Sequence, residues 1–351
     1  MRRRVHDRAT LSLPVWIAAL VAALALVAAG CGKTSSVKEK PLKVAGAQPA
    51  ARTAGGADRA SGAVRIAVVT HGQASSPFWA IVRNGVEAAA RQMDVVVNYR
   101  APDIYSLERM KTLIDQAVAS KPDGLVVSIP EPGLAPAIRR ATAAGIPVVS
   151  INSGSAIYRR LGILAHIGQP EDRAGEGAGE RLAAAGVRRA LCVNQQVGNQ
   201  GLDERCAGLA RAMRAVGGRS RVLSVDDMSP STPKRIADAV RSDQIDGVLA
   251  LNSTTGGQAV KAVDLAGQAA DVKVATFDLG PDVLAAVRSG RLLFAVDQQA
   301  YLQGYLPVVL LTQRARYGLF PAQGDVIPTG PNFVTKADAG KAIELSKRSI
   351  R

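Results

Sequence analysis

The chain has 351 residues, enough for two domains at roughly 100–200 residues each. Its 47% hydrophobic and 21% charged residues are the balance of a globular protein and argue against a disordered or low-complexity chain. The net charge is +15, but arginines beyond residue 4 come in pairs at most and aromatics are only 4%, so no basic helix or basic-aromatic face points to nucleic acid.

Arg2 to Arg4 form a positive n-region, Leu13 to Ala29 an apolar run, and small residues lead to Cys31. This is the pattern of a secretory signal over 1–30, with a run rather short for a stable membrane span. Ala28-Ala29-Gly30-Cys31 resembles a bacterial lipobox, which makes Cys31 the expected lipidation site and the mature N-terminus. Lipid chains tether a protein without spanning the membrane. The stretch that follows, up to residue 63, is rich in Ala, Gly, Ser, Lys and Arg and reads as a flexible tether. Export would leave Cys192 and Cys206 in an oxidising compartment, where a disulfide is allowed; two buried thiols are the alternative. His6, His71 and His166 stand at no metal-ligand spacing from a cysteine, so no metal centre is expected.

From Val64 onward, strands and helices alternate. Val64–Val69 is an apolar strand, and Pro77 suits the first turn of a helix running to Gln92. Between them His71-Gly72-Gln73-Ala74-Ser75-Ser76 forms a loop that ends at Phe78 and Trp79. Strand 94–99 and helix 106–120 follow, the helix with Leu107, Met110, Leu113, Ile114 and Ala117 along one face. Strand 123–129, helix 136–144 and strand 146–151 complete the first half. The second half reads as strand 188–194, helix 202–216, strand 221–225, helix 233–241, strand 246–251, helix 257–266 and strand 272–277. Uninterrupted apolar strands separated by helices indicate parallel sheets covered on both faces.

The order Asp123-Gly124, strand, helix, strand ending at Asn152 is echoed by Asp246-Gly247, strand, helix, strand ending at Asp278. Two similar α/β lobes facing each other would form a cleft, a preferred place for a small-molecule site. The glycine-rich run 173–180 has the wrong spacing for a dinucleotide fingerprint and lies in a helical stretch, so it predicts close helix packing. No P-loop, hydrolase elbow or catalytic triad is present, and no cofactor is expected.

Asn152, Asn252, Asp278 and Gln298 each follow an apolar strand. In open α/β sheets ligands gather at the carboxyl ends of strands. Planar or bidentate groups suit the hydroxyls of a sugar, and an aromatic ring suits its C–H face. From the loop alone, Phe78 and Trp79 could equally be core residues.

These residues carry a resemblance. The chain from Val64 to Arg351 resembles the type I periplasmic sugar-binding proteins, the ribose-binding class that serves ABC importers. Ser76-Pro77-Phe78-Trp79 is similar to that family's Asn-Pro-Phe-aromatic loop, and Asp203 to Gly208 to its Arg-x-x-Gly motif, with Arg205 as the ligand arginine. Asn252, Phe277-Asp278 and Gln298 match its strand-end residues. Phe294 to Tyr305 looks like a subgroup that also shows Pro-Phe-Trp, Ile-Asn-Ser-Gly, Thr-Gly-Pro and a pair like Cys192/Cys206. Where ribose binders have Asp-Arg, this chain has Asn152-Ser153.

The resemblance implies two Rossmann-like lobes joined by three crossings, at about 64–167 plus 299–326 and 168–298 plus 327–351. It implies a monomeric, extracytoplasmic lipoprotein, membrane-attached through its lipid alone. Such a protein takes a small sugar, polyol or cyclitol in the cleft and delivers it to an ABC permease, without catalysis. Phe78, Trp79, Asn152, Arg205, Asn252, Asp278 and Gln298 are the implied ligand residues. A nucleoside or autoinducer-like signal is the alternative ligand, with Tyr158 or Phe277 as a second aromatic. An enzyme on this fold would need a pair such as His71 and Asp278.

Overall fold

The structure, a computed structural model, describes residues 62–72, 76–321 and 324–351. The expected leader, Cys31 and all but the end of the tether lie outside the described residues.

In chain order the first lobe begins with β1 (Arg65–Val69), α1 (Pro77–Met93), β2 (Val96–Arg100), α2 (Leu107–Ala119), β3 (Gly124–Ser128), α3 (Ala135–Ala143), β4 (Val148–Ile151) and β5 (Ala165–Gly168). The second holds α4 (Glu171–Ala184), β6 (Arg189–Asn194), α5 (Gln200–Ala215), β7 (Arg219–Ser224), α6 (Thr232–Ser242), β8 (Gly247–Ala250), α7 (Ser253–Leu265), β9 (Lys273–Phe277), α8 (Pro281–Ser289) and β10 (Ala295–Asp297). The chain then returns to the first lobe with α9 (Ala300–Tyr317) and β11 (Asp325–Pro328). It ends in the second with β12 (Asn332–Val334) and α10 (Ala339–Ser346).

The sheets run β2-β1-β3-β4-β5-β11 and β7-β6-β8-β9-β10-β12, the same order twice. All pairings are parallel except β10 with β12. This is the two-lobed α/β architecture expected from the sequence, and the echoed units are β3–α3–β4 and β8–α7–β9. β3 and β4 are buried at every residue, as strands with helices on both faces must be. α2 buries Met110, Leu113, Ile114 and Ala117, and the Ser106 side chain caps it by accepting from the Arg109 N–H.

Some boundaries differ from expectation. Gly168 and Ile327–Pro328 belong to the first sheet, because Ile327 pairs with Ile167 and Pro328 with Gly168. α7 begins four residues earlier than expected, at Ser253. Asn252 and Thr255 close a reciprocal capping box that starts the helix through Ser-Thr-Thr-Gly. β10 is the apolar strand that Gln298 follows, and α8, α9, α10, β11 and β12 add to the elements expected from the sequence. α9 contains Pro307 and is apolar on several sides, so no amphipathic stripe marks it.

α9 lies against α1 at two glycines, Gly85 and Gly304. A Cβ on Gly304 would stand 1.9 Å from the Val82 carbonyl oxygen, so no larger residue fits without separating the helices. Gly304→Ala should lower stability by about 1–3 kcal/mol through overpacking. The check is the urea midpoint of unfolding; an unshifted midpoint would show that the helices can move apart at no cost.

Candidate ligand-binding site

The order 2-1-3-4-5 places a topological switch between β1 and β3 and again between β6 and β8, where the following loops diverge and leave a crevice. The two crevices face each other around a cavity of about 490 Å³. Phe78, Trp79, Asn152, Arg205, Asn252, Asp278 and Gln298 all line it. The lobes also meet directly, since the Gln200 N–H at the start of α5 donates to the Pro130 carbonyl after β3 (3.0 Å).

The first lobe contributes a neutral wall. Trp79 sits in the first turn of α1 with its indole over Gly72, where a Cβ would come 1.7 Å from the ring. Its ring meets His71 edge-on at 4.8 Å and Phe78 at 5.1 Å. Trp79 is only 7% exposed, so it belongs to the apolar core and to the cavity wall together. Of His71, both the backbone N–H and ring Nδ1 lie within hydrogen-bond distance of Ser128 Oγ (2.9 and 2.8 Å). Burial drives its pKa down to about 3, so the imidazole is neutral at physiological pH. Among the described residues His71 bonds Ser128 and Asp278 bonds Gln298, and no hydrogen bond joins the two.

A polar chain crosses from one lobe to the other. Asn152 and Asp278 both end apolar strands in the left-handed region, φ 62° and 65°, which Asn and Asp tolerate better than most residues. Asn152 Nδ2 donates to Gln298 Oε1 (3.2 Å), and Gln298 Nε2 donates to Asp278 Oδ1 (2.6 Å). Behind them Gln303 Nε2 donates to Gln298 Oε1 and Thr329 Oγ1 (both 3.1 Å). Burial raises the Asp278 pKa to about 6, against the opposing pull of Arg205 and the Gln298 hydrogen bond.

Arg205 is not a free cation. It is 3% exposed, and Glu171, equally buried, takes its Nε (2.6 Å) and Nη2 (2.9 Å) as a bidentate partner. Nη1 donates to the Leu251 carbonyl (3.0 Å), and the guanidinium lies 4.2 Å from the centre of the Phe277 ring. Burial opposes the charge and Glu171 more than offsets this, so the pKa stands above the ordinary arginine value. The close packing read from the glycine-rich run makes this pair possible. A Cβ on Gly175 would lie 2.0 Å from the Arg205 carbonyl oxygen, so only glycine lets α4 approach α5 one turn beyond Glu171.

Asn252 is also partly committed. Its Oδ1 caps α7 and its Nδ2 donates to Asp227 Oδ2 (2.8 Å). Cys192 of β6 and Cys206 of α5 form a disulfide, which ties the turn bearing Arg205 to the sheet. The second aromatics suggested for a nucleoside do not reach the cavity. Tyr158 is buried against His166 and donates to the Gly324 carbonyl, and Phe277 lies beneath Arg205.

Sequence reasoning missed Glu171, Asp227, Tyr105 and Ser153, all of which line the cavity. Glu171 left a signal as an acid in a first helical turn just after a lobe crossing, and Ser153 left one as the neighbour of Asn152 at a strand end. Asp227 and Tyr105 lie in loops whose path the strand pattern does not fix.

Two like lobes on either side of a polar cavity are the architecture of a solute-binding protein. Residues 66–318 match the periplasmic binding protein domain. The chain belongs to that family, in the type I form found in sugar-binding proteins of ABC transporters, which bind solutes and are not enzymes. A carbohydrate transporter protein from Acidothermus cellulolyticus, solved with myo-inositol, is 36% identical, with TM-score 0.77, covering 82% of this chain and all of that one. The D-ribose/D-allose-binding protein of Pseudomonas aeruginosa is 28% identical over 54% of this chain, and the match spans 62% of that protein. A xylose/arabinose-binding protein of Sulfolobus acidocaldarius is 24% identical over 75% of this chain and 69% of its own length.

Folded Asp278 holds its proton more tightly than an unfolded carboxyl, which titrates near ~3.9. Its contribution to stability is fully present below that value and is lost as pH rises through about 6. Asp278→Asn should therefore gain on the ligand-free wild type by up to ~3 kcal/mol between about pH 4 and pH 7. Urea titrations at each pH measure the difference; a constant offset would contradict the raised pKa.

Proposed function

We propose that this protein captures a single-ring polyol, a cyclitol or a monosaccharide, and presents it to an ABC permease. The observation that carries this reading is the chain Asn152–Gln298–Asp278, which lines the cavity across the crossing between lobes. A hydroxylated ring in the cavity can bond groups from both lobes at once and so hold the lobes closed. Trp79 offers the adjoining apolar surface for the ring's C–H groups. The volume of about 490 Å³ falls in the range of small-molecule sites. The myo-inositol bound by the Acidothermus protein supports a cyclitol among the ligands to try first.

In this reading the lobes swing about the three crossings at Gly168–Glu171, Gln298–Gln299 and Thr329–Pro331. Cys31 carries the lipid, and the tether that follows lets the lobes reach the permease from the outer side of the membrane.

Arg205 shapes the site as much as it contacts the ligand. Removing it would leave Glu171 buried without its cation, a loss of about 3–5 kcal/mol in stability. Asn152→Ala is the cleaner probe of binding.

Once the leader is removed, Trp79 is the only tryptophan. Titration of the mature protein with myo-inositol, pentoses and hexoses should change its emission, with micromolar dissociation constants, near ~8 kcal/mol. Asn152→Ala should weaken the best ligand about tenfold or more. Failure of every polyol to bind by calorimetry would overturn the reading. Binding with unchanged emission would remove Trp79 from the ligand surface.

A further inference from the structure

We infer that Glu171 sets the charge selectivity of the cavity: by cancelling Arg205 it makes the site accept neutral single-ring polyols and refuse their acid and phosphate derivatives. This rests on the polyol reading and narrows it.

Arg205 is the one cation among the described residues that line the cavity, while Glu171, Asp227 and Asp278 supply three carboxyl groups. A buried arginine with its fork open would be an anion receptor, because two parallel N–H groups match a carboxylate or phosphate. Here Glu171 occupies that fork through both of its oxygens. The carboxylate is itself fixed in place. Gln169 Nε2 donates to Glu171 Oε2 (2.8 Å), and Glu171 is the first residue of α4, where the helix N-terminus favours negative charge.

The remaining acids then decide what the cavity tolerates. Among the described residues, Asp278 Oδ1 accepts from Gln298 and Asp227 Oδ2 accepts from Asn252, each leaving a second oxygen for a ligand. Ligand hydroxyls can donate to those oxygens. A ligand carboxylate cannot donate to them, and a carboxylate or phosphate would stand beside like charges with no open cation to offset them. Ser153 adds a hydroxyl to the lining and no positive charge.

The test uses matched neutral and acid probes: glucose with glucuronate, galactose with galacturonate, and myo-inositol with its monophosphate. Calorimetry on the wild-type mature protein should find at least one neutral member bound and its acid partner at least about 100-fold weaker. Glu171→Gln keeps the side chain's shape and removes one negative charge beside Arg205. It should narrow that discrimination by about tenfold or more, mainly by tightening the acid. A melting curve establishes that the variant is folded. A folded Glu171→Gln variant with unchanged discrimination overturns the inference. So does a wild-type protein that binds any acid within about tenfold of its neutral partner, which decides the matter even if the variant does not fold. Absence of binding by every neutral probe overturns the polyol reading itself, and the charge rule falls with it. Binding of neutral probes alongside acids overturns only the charge rule.

Discussion

The ion pair between Glu171 and Arg205 is the constraint on which the rest of the second lobe's wall depends. Taking both charges out of water is expensive and is offset only by good geometry and further hydrogen bonds. The sequence supplies these from several directions. Gly175 lets the helices approach, the Phe277 ring lies beneath the guanidinium, the Leu251 carbonyl takes Nη1, and Gln169 steadies the carboxylate. The Cys192–Cys206 disulfide anchors the next residue along the chain to β6. Once these contacts are made, Arg205 is held rigid and its charge is balanced. It therefore works as a fixed polar surface rather than as a mobile cation.

The second constraint lies at the crossings. Gln298 takes a hydrogen bond from Asn152 in the first lobe and gives one to Asp278 in the second, while Gln303 and Thr329 brace it from behind. Its side chain thus senses both lobes. Asn152 and Asp278 stand at the strand ends in a conformation that turns the chain out of the sheet at the cavity edge. Strand order, backbone conformation and hydrogen-bond polarity converge at one point, which is where a ligand would join the lobes.

The fold is legible in the sequence because buried parallel strands leave unbroken apolar runs. Asn152, Asn252, Asp278 and Gln298 are legible for the related reason that a polar residue ending such a run lies at the edge of the sheet that borders the cavity. Side-chain commitments are not legible in this way. Asn252 caps α7 and bonds Asp227, and Arg205 pairs with Glu171, because residues far apart in sequence meet only after helix packing. α9 escapes notice since it is apolar on several sides and contains a proline. Trp79 shows that core and site are not exclusive: it is buried on α1 and still borders the cavity.

A crystal structure of the mature protein grown with myo-inositol or a bound monosaccharide tests the central claim most directly. The expected result is one ring in the interlobe cavity, its C–H face on Trp79 and hydroxyls within hydrogen-bond distance of Asn152 and Asp278, with the Arg205–Glu171 pair unbroken. A ring bound outside the cavity, or one held by Arg205 released from Glu171, would contradict it.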